Sequence, residues 1–197
     1  MAVPAGWDLH DDAPPPVDPF DLARGWLPAD DAPDRPQAVL STLGADGCPD
    51  SRTVLLTAFD RTGFAFHTSR SSRKVAQLAA LPSASLLLLW PGFTRQLVLR
   101  GPVVPDDAAG QGRAWAARSD HLRRLAWLNT DEFAALDRAE RRRRWAGGLP
   151  DGTAPSWVGY RVRPTELTFW AGGVDTASRR LRYTRAAEGW THRYLAG

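Results

Sequence analysis

The 197-residue chain is poor in several residue types, and each shortage excludes something. Cysteine occurs once, at Cys48, so no intrachain disulfide can form and nothing points to an oxidising compartment. The longest apolar run, around Leu86–Trp90, is far shorter than the roughly 20 residues that cross a bilayer. The N-terminus has neither a basic segment nor an apolar one, so no secretory signal is expected. A soluble cytoplasmic protein with no membrane partner is the expectation. Excess charge of one sign is also lacking, with 25 basic residues against 22 acidic ones for a net charge of +3. The pI is near 9.6, yet the balance argues against a nucleic-acid partner. His10, His67, His121 and His192 have no metal-ligand spacing, so no metal is expected. Walker, GxGxxG, HExxH, CxxC and GxSxG motifs are absent, and no paired-carboxylate or Ser/His/Asp site can be assigned. Catalytic residues therefore cannot be named.

Lysine is the most informative shortage. Lys74 is the only one, isoleucine is absent, and Asn129 is the only asparagine. This bias suits a GC-rich genome that replaces Lys by Arg wherever either serves. A lysine retained beside an arginine suggests that a compact ammonium is wanted there.

What is present is organised around Ser51–Lys74. Thr53–Phe59 reads as a strand, Asp60–Gly63 as a turn and Phe64–Thr68 as a second strand. Ser71 and Ser72 then offer hydroxyls to a helix starting near Arg73 and running to about Ala80. Two cations, two hydroxyls and free N–H groups at a helix start suit a phosphate. An ordinary cap on a solvated helix is the plain alternative.

Residues 1–17 are rich in Pro, Asp and Ala and read as a mobile tail, with one domain over 18–197. Asp18-Pro19 opens a short helix to about Trp26, and 28–36 reads as a linker. Ala38–Leu43 is a predicted strand. Ala84–Trp90 reads as a buried strand whose apolar run Leu86–Trp90 is expected to be covered on both faces. Arg95–Val104 alternates as a long strand. Asp106-Asp107 caps a helix to about Arg118, and Asn129 with Glu132 is expected to cap a single helix from Thr130 to Ala146. Arg141–Arg144 reads as a solvated, salt-bridged face. Strands over Trp157–Val162, Glu166–Trp170, Leu181–Thr184 and Trp190–Leu195 close the chain. The predicted class is α+β, mainly antiparallel β and barrel-like, with helices inserted. Nine tryptophans suit interfaces and planar ligands.

The ordered segments DPF, SRTVLL, GFAFHTS, SRK, LLLLWP, RQLVLRG, WVGYRV, LTFWAGG and RRLRY, spread over residues 18–197, resemble the pyridoxamine 5′-phosphate oxidase family. The resemblance implies an FMN-binding split β-barrel with peripheral helices. It also implies a homodimer with two FMN sites between protomers. Implied cofactor contacts are Arg52, Val54, Leu55, His67, Thr68, Arg73, Lys74 and Gln96, with Trp170 and Arg180 coming from the partner chain. His67 stands where the family usually has Tyr.

Departures concern mainly the second ligand. The family's substrate phosphate is held by Lys, Tyr, Arg and Ser, and here those positions read Thr57, Ala114, Arg118 and Leu122. An Arg-x-His over the substrate ring reads Thr176-Ala177-Ser178, and a Gln-Ser pair that helps bind FMN falls near Asp131-Glu132. Arg118, Thr57 and Ser178 are the candidate substrate contacts. The expectation is an FMN-dependent oxidase that moves a hydride from a small organic molecule to FMN, with O₂ as acceptor. That molecule is expected not to be pyridoxamine phosphate, and a natural-product intermediate is one candidate. A true vitamin B6 oxidase and a flavin-binding protein without turnover are the alternatives.

Overall fold

A computed structural model describes residues 7–28 and 36–197. Most of the stretch read as a linker thus lies outside the described residues, as do the first six positions of the stretch read as a tail. Nine strands and six α-helices are present among the described residues. The strands are β1 (Gln37–Leu43), β2 (Pro49–Asp60), β3 (Gly63–Ser69), β4 (Ser83–Leu89), β5 (Arg95–Pro105), β6 (Trp157–Val162), β7 (Glu166–Ala171), β8 (Arg179–Arg185) and β9 (Trp190–Ala196). The helices are α1 (Pro19–Trp26), α2 (Arg73–Ala80), α3 (Ala108–Ala116), α4 (Asp120–Leu128), α5 (Asp131–Ala134) and α6 (Arg138–Ala146).

Every strand pairing is antiparallel. The sheet runs β4-β1-β2-β3-β6-β5-β7-β8-β9, and a further β4–β5 pairing closes its first six strands into a barrel. Strand β5 makes the split. Its residues 95–100 pair with β7 and its residues 103–105 with β6, while β4 occupies its other edge. Gly101 sits at the changeover. A Cβ there would fall on the Arg163 carbonyl oxygen and within 2.9 Å of the Thr165 nitrogen, so the crossing from β6 to β7 needs glycine.

Alternation along β5 is clear. Leu97 and Leu99 are fully buried, while Gln96, Val98 and Arg100 face away. Leu40, Phe64, Phe66, Leu86 and Val162 fill the barrel beside them. Burying each such side chain is worth about 1.5–3 kcal/mol.

Three expectations change. Trp7 and Leu9, placed by composition in a mobile tail, belong to the main core, with Leu9 at 0% exposure. Tyr183 donates to the Pro16 carbonyl at 2.7 Å and Arg179 to the Leu9 carbonyl at 3.0 Å, which ties this segment to β8. Two apolar side chains outweighed the Pro- and Asp-rich surroundings.

The apolar strand β4 is covered on one face only within a chain. Leu86 and Leu88 are buried while Leu89 is 54% exposed. Val39 of β1 pairs with Leu87 and is also exposed, so an apolar strip runs along this side.

The helix expected over Thr130–Ala146 is two helices. Thr130 caps α5 by accepting from the Phe133 N–H, and Asp137 caps α6 by accepting from the Glu140 N–H. A second strong cap seven residues after the first restarts the helix. Asn129 instead ends α4, a helix the sequence reading missed, although Ser119 caps it in the ordinary way.

Candidate functional site

Helices α3 to α6 form an insertion between β5 and β6. Ala114, Trp115, Ala126 and Trp127 pack on Trp157, the first residue of β6, in a second small core. A cleft of about 710 Å³ lies where this insertion meets β3 and the start of α2.

One end of the cleft is lined by Thr68, Ser69, Ser71, Ser72, Arg73 and Lys74. Ser72 is the N-cap of α2 by position, yet its side chain caps no backbone N–H. The first N–H groups of α2 are therefore left for a ligand. Lys74 donates to Thr68 Oγ1 at 3.0 Å and to Ser72 Oγ, and has no carboxylate partner within ion-pair distance among the described residues. Burial, followed by the charge of Arg52, pushes its ammonium below the usual lysine range. An anion here would relieve that cost, so the donor set fits a phosphate.

The other end is lined by His67, Arg118 and Trp157. His67 stacks on Trp157 with centroids 4.8 Å apart and planes 11° apart. The Arg118 guanidinium carbon lies 4.3 Å from the same indole centroid. Arg118 donates from Nη2 to the Leu122 carbonyl at 2.8 Å, and its buried Nε has no partner. Burial lowers its pKa to about 10. A half-buried guanidinium with no carboxylate partner among the described residues and a spare donor calls for an anion.

The opposite rim carries Asn129, Thr130, Asp131 and Glu132. The Glu132 carboxyl is held below its usual range by its own backbone N–H and by Thr130. Carboxylates thus stand where the family resemblance leads one to expect a Gln-Ser pair.

The remaining expected residues fall elsewhere. Arg52 does not line the cleft. Its guanidinium donates to Thr42 Oγ1 at 2.6 Å and Gln77 Oε1 at 2.9 Å, and pairs with Asp50 at 2.9 Å, joining β1, β2 and α2. Val54 is buried in the core and Leu55 is half-buried on the other face of β2. Thr57 occupies a β-bulge, where the β2–β3 register shifts between Leu56 and Ala58. Its hydroxyl lies 3.1 Å from the Ala65 carbonyl and 2.7 Å from His67 Nδ1, so it is engaged inside the protein. Ser178 lies on the β7–β8 connection.

Gln96, one of the implied cofactor contacts, groups with two others. It lies directly opposite Trp170 across β5 and β7, and Trp170 lies opposite Arg180 across β7 and β8. This row occupies the outer face, with the Phe93 ring tilted 36° against Trp170 at 4.6 Å between centroids. None of the three lines the cleft.

A family described as pyridoxamine 5′-phosphate oxidase matches residues 30–171, which is most of the chain. The chain belongs to the pyridoxamine 5′-phosphate oxidase family. It is accordingly an oxidoreductase. A second description, the pyridoxine 5′-phosphate oxidase C-terminal dimerisation region, matches residues 157–197. The chain is 37% identical over 200 residues to a pyridoxine/pyridoxamine 5′-phosphate oxidase of Caulobacter vibrioides, covering 95% of this chain and 90% of that one. It is 36% identical over 174 residues to the enzyme of that name from Alkalilimnicola ehrlichii, covering 85% and 89%. Among solved structures, PhzG from Burkholderia lata 383, in complex with tetrahydrophenazine-1-carboxylic acid, matches with a TM-score of 0.79 and 31% identity over the whole of both chains. A family-related FMN-binding protein from Nostoc punctiforme matches in fold, with a TM-score of 0.68 and 19% identity over 82% of this chain and 88% of that one. The split-barrel fold of the family is the fold of this chain.

No described helix is long and apolar enough to cross a membrane. No group of His, Cys, Asp and Glu among the described residues is placed to hold a metal.

Proposed function

We propose that the protein is a homodimeric FMN-dependent oxidase acting on a small, singly anionic or uncharged organic substrate. The observation that carries this reading is the cleft's polarity. A phosphate-suited end (Lys74, Arg73, serine hydroxyls, uncapped α2) faces an aromatic end with one unpaired cation, Arg118. FMN has this pattern of a phosphate joined to a flat ring. Bound FMN would supply hydride acceptance from the substrate, with O₂ as the later electron acceptor.

The chain's own contribution is to bind, orient and exclude water. Lys74 and the first N–H groups of α2 would hold the phosphate. Trp157 and the half-buried surroundings would keep the ring end dry, and Arg118 would hold an anionic substituent of the substrate. The family's dimerisation region supports a second copy, and the apolar strip of Val39 and Leu89 suits an interface. On this reading the row Gln96, Trp170 and Arg180 completes the partner's flavin site.

Pyridoxine or pyridoxamine 5′-phosphate as substrate is favoured by the names of the curated relatives. Against it stand Thr57, which supplies no cation and whose hydroxyl is already engaged, and Ala114 and Leu122, which supply no hydroxyl. Losing charged contacts at about 1.5–3 kcal/mol each would cost several powers of ten in kcat/KM. PhzG, with its tetrahydrophenazine carboxylic acid, illustrates a singly anionic ring compound on a related chain. The test is H₂O₂ release by FMN-loaded protein with pyridoxine 5′-phosphate, pyridoxamine 5′-phosphate and dihydroaromatic carboxylic acids. Turnover on the carboxylic acids with little on the phosphates is expected. Efficient turnover of the phosphates would overturn the substrate assignment.

A further inference from the structure

Behind the aromatic end of the cleft lies a polar chain that the oxidase reading does not use. Thr57 Oγ1 has one proton and two close neighbours, the Ala65 carbonyl at 3.1 Å and His67 Nδ1 at 2.7 Å. Both contacts are hydrogen bonds only if Thr57 donates to Ala65 and His67 Nδ1–H donates to Thr57. Neutral His67 then carries its proton on Nδ1 and presents a bare Nε2.

That Nε2 faces another acceptor. Asp106 Oδ2 lies 3.6 Å away, and both atoms are buried with no other partner. The other Asp106 oxygen accepts from Arg161 Nε at 3.1 Å, which holds the carboxylate in place. Gly159 closes the remaining side, since a Cβ there would fall on His67 Nε2. With both Thr57 contacts kept, the cluster lacks one proton, and that proton would pair both orphaned atoms.

Three charged groups face the ring. Asp106, between β5 and α3, favours the proton, while Arg161 on β6 and Arg118, after α3, oppose it. Burial opposes it most strongly, and burial with the two arginines outweighs Asp106 to hold His67 neutral with a pKa of about 4. Arg161 is already paired with Asp106 and Asp60. Arg118 is the opposing cation whose charge a ligand can cancel.

We propose that Thr57, His67 and Asp106 form a proton-coupled positioning chain for Arg118, so that an anion bound at Arg118 brings one proton to His67 Nε2. The proton comes from solvent, forms an N–H bond to Nε2 and is hydrogen-bonded to Asp106. No group is oxidised or reduced. His67 is a positioning residue. Its stack on Trp157, the indole that also carries Arg118, links its charge to the anion's hold. By linkage, anion binding raises proton affinity at His67, and acid tightens the anion by the same factor. The proposal rests on Arg118 being the anion end of the cleft.

Benzenesulfonate is a suitable probe because it stays ionised throughout the range used. Calorimetric titration of the full-length dimer at pH 5 and pH 7, in buffers of differing ionisation enthalpy, reads affinity and proton uptake together. The expected result is binding about 5-fold or more tighter at pH 5, with net proton uptake there. Both effects are expected to vanish in His67→Gln. Thr57→Val is expected to lose the uptake while still binding, because neutral His67 can then place its proton on Nε2 towards Asp106. Thr57→Ser is expected to restore it. Circular dichroism checks that each variant folds. Binding that depends on Arg118 but takes up no proton, or that keeps its pH dependence in His67→Gln, overturns the coupling and leaves the anion site standing. Binding unchanged in Arg118→Ala, or no binding at all, overturns both.

Discussion

Gln96 and Trp170 lie directly opposite one another on the outer face of the sheet, away from the cleft that contains Lys74. Arg180 extends the same row. If one ligand uses both Lys74 and this row, the row is expected to come from another copy of the chain.

Subunit complementation tests this. Lys74→Ala and Arg180→Ala are each expected to lose most FMN binding. Mixed dimers of the two variants contain one site with both residues intact. Mixing and re-annealing is expected to restore flavin fluorescence quenching in part of the population. No restoration would place Arg180 and Lys74 in the same chain's site.

Lys74→Met is expected to weaken FMN binding more than it changes folding. Among the described residues Lys74 has only hydroxyl partners, so no ion pair among them is broken. Loss of one charge-assisted contact to a phosphate is worth about 1.5–3 kcal/mol, roughly a 10- to 150-fold rise in Kd. Fluorescence titration reads this, and thermal melts of the flavin-free protein serve as control.

Arg52→Met is expected to act through stability. The substitution removes donors from Thr42 and Gln77 and leaves Asp50 with the exposed Arg73 as its remaining cation. A loss of about 2–4 kcal/mol in denaturant unfolding is expected, since a hydrogen-bonded charge is removed from a half-buried network.

Gly101→Ala is expected to be severely destabilising, by about 3 kcal/mol or more, because the added carbon meets backbone rather than a movable side chain. Chemical denaturation checks this. Gly112→Ala is the control, since a Cβ there meets nothing within 4 Å.

Acid stability carries a signature of His67. Its pKa falls from 6.5 to about 4 on folding, so the unfolded chain binds the extra proton first. Stability is therefore full above pH 6.5 and is lost as pH falls towards 4. The contribution is about 3 kcal/mol at its upper limit. His67→Gln is expected to show a flatter melting temperature between pH 6.5 and 4, and an unchanged slope would count against a buried neutral histidine.

The sequence by itself determined what depends on neighbours along the chain. Alternation in Arg95–Val104 and the turn at Asp60–Gly63 place β5, β3 and the end of β2 within a residue, although β2 begins at Pro49 rather than Thr53. Ser71, Ser72, Arg73 and Lys74 are adjacent, so their convergence at the start of α2 needed no tertiary information. The order of family segments was legible for the same reason. Capping was less secure, because Asn129, Thr130 and Asp137 all offer caps and only packing of the insertion decides which of them start helices. Tertiary structure alone decided the rest. Leu9 is a core residue because the strand beneath it is more than 160 positions away. Gln96 belongs with Trp170 because β7 pairs with the outer half of β5. His67 has Thr57, Asp106 and Gly159 as neighbours through a bulge, a helix start and a strand pairing. These contacts join residues 10 to 92 positions apart, and no local propensity encodes which of many such pairs the closed barrel brings together.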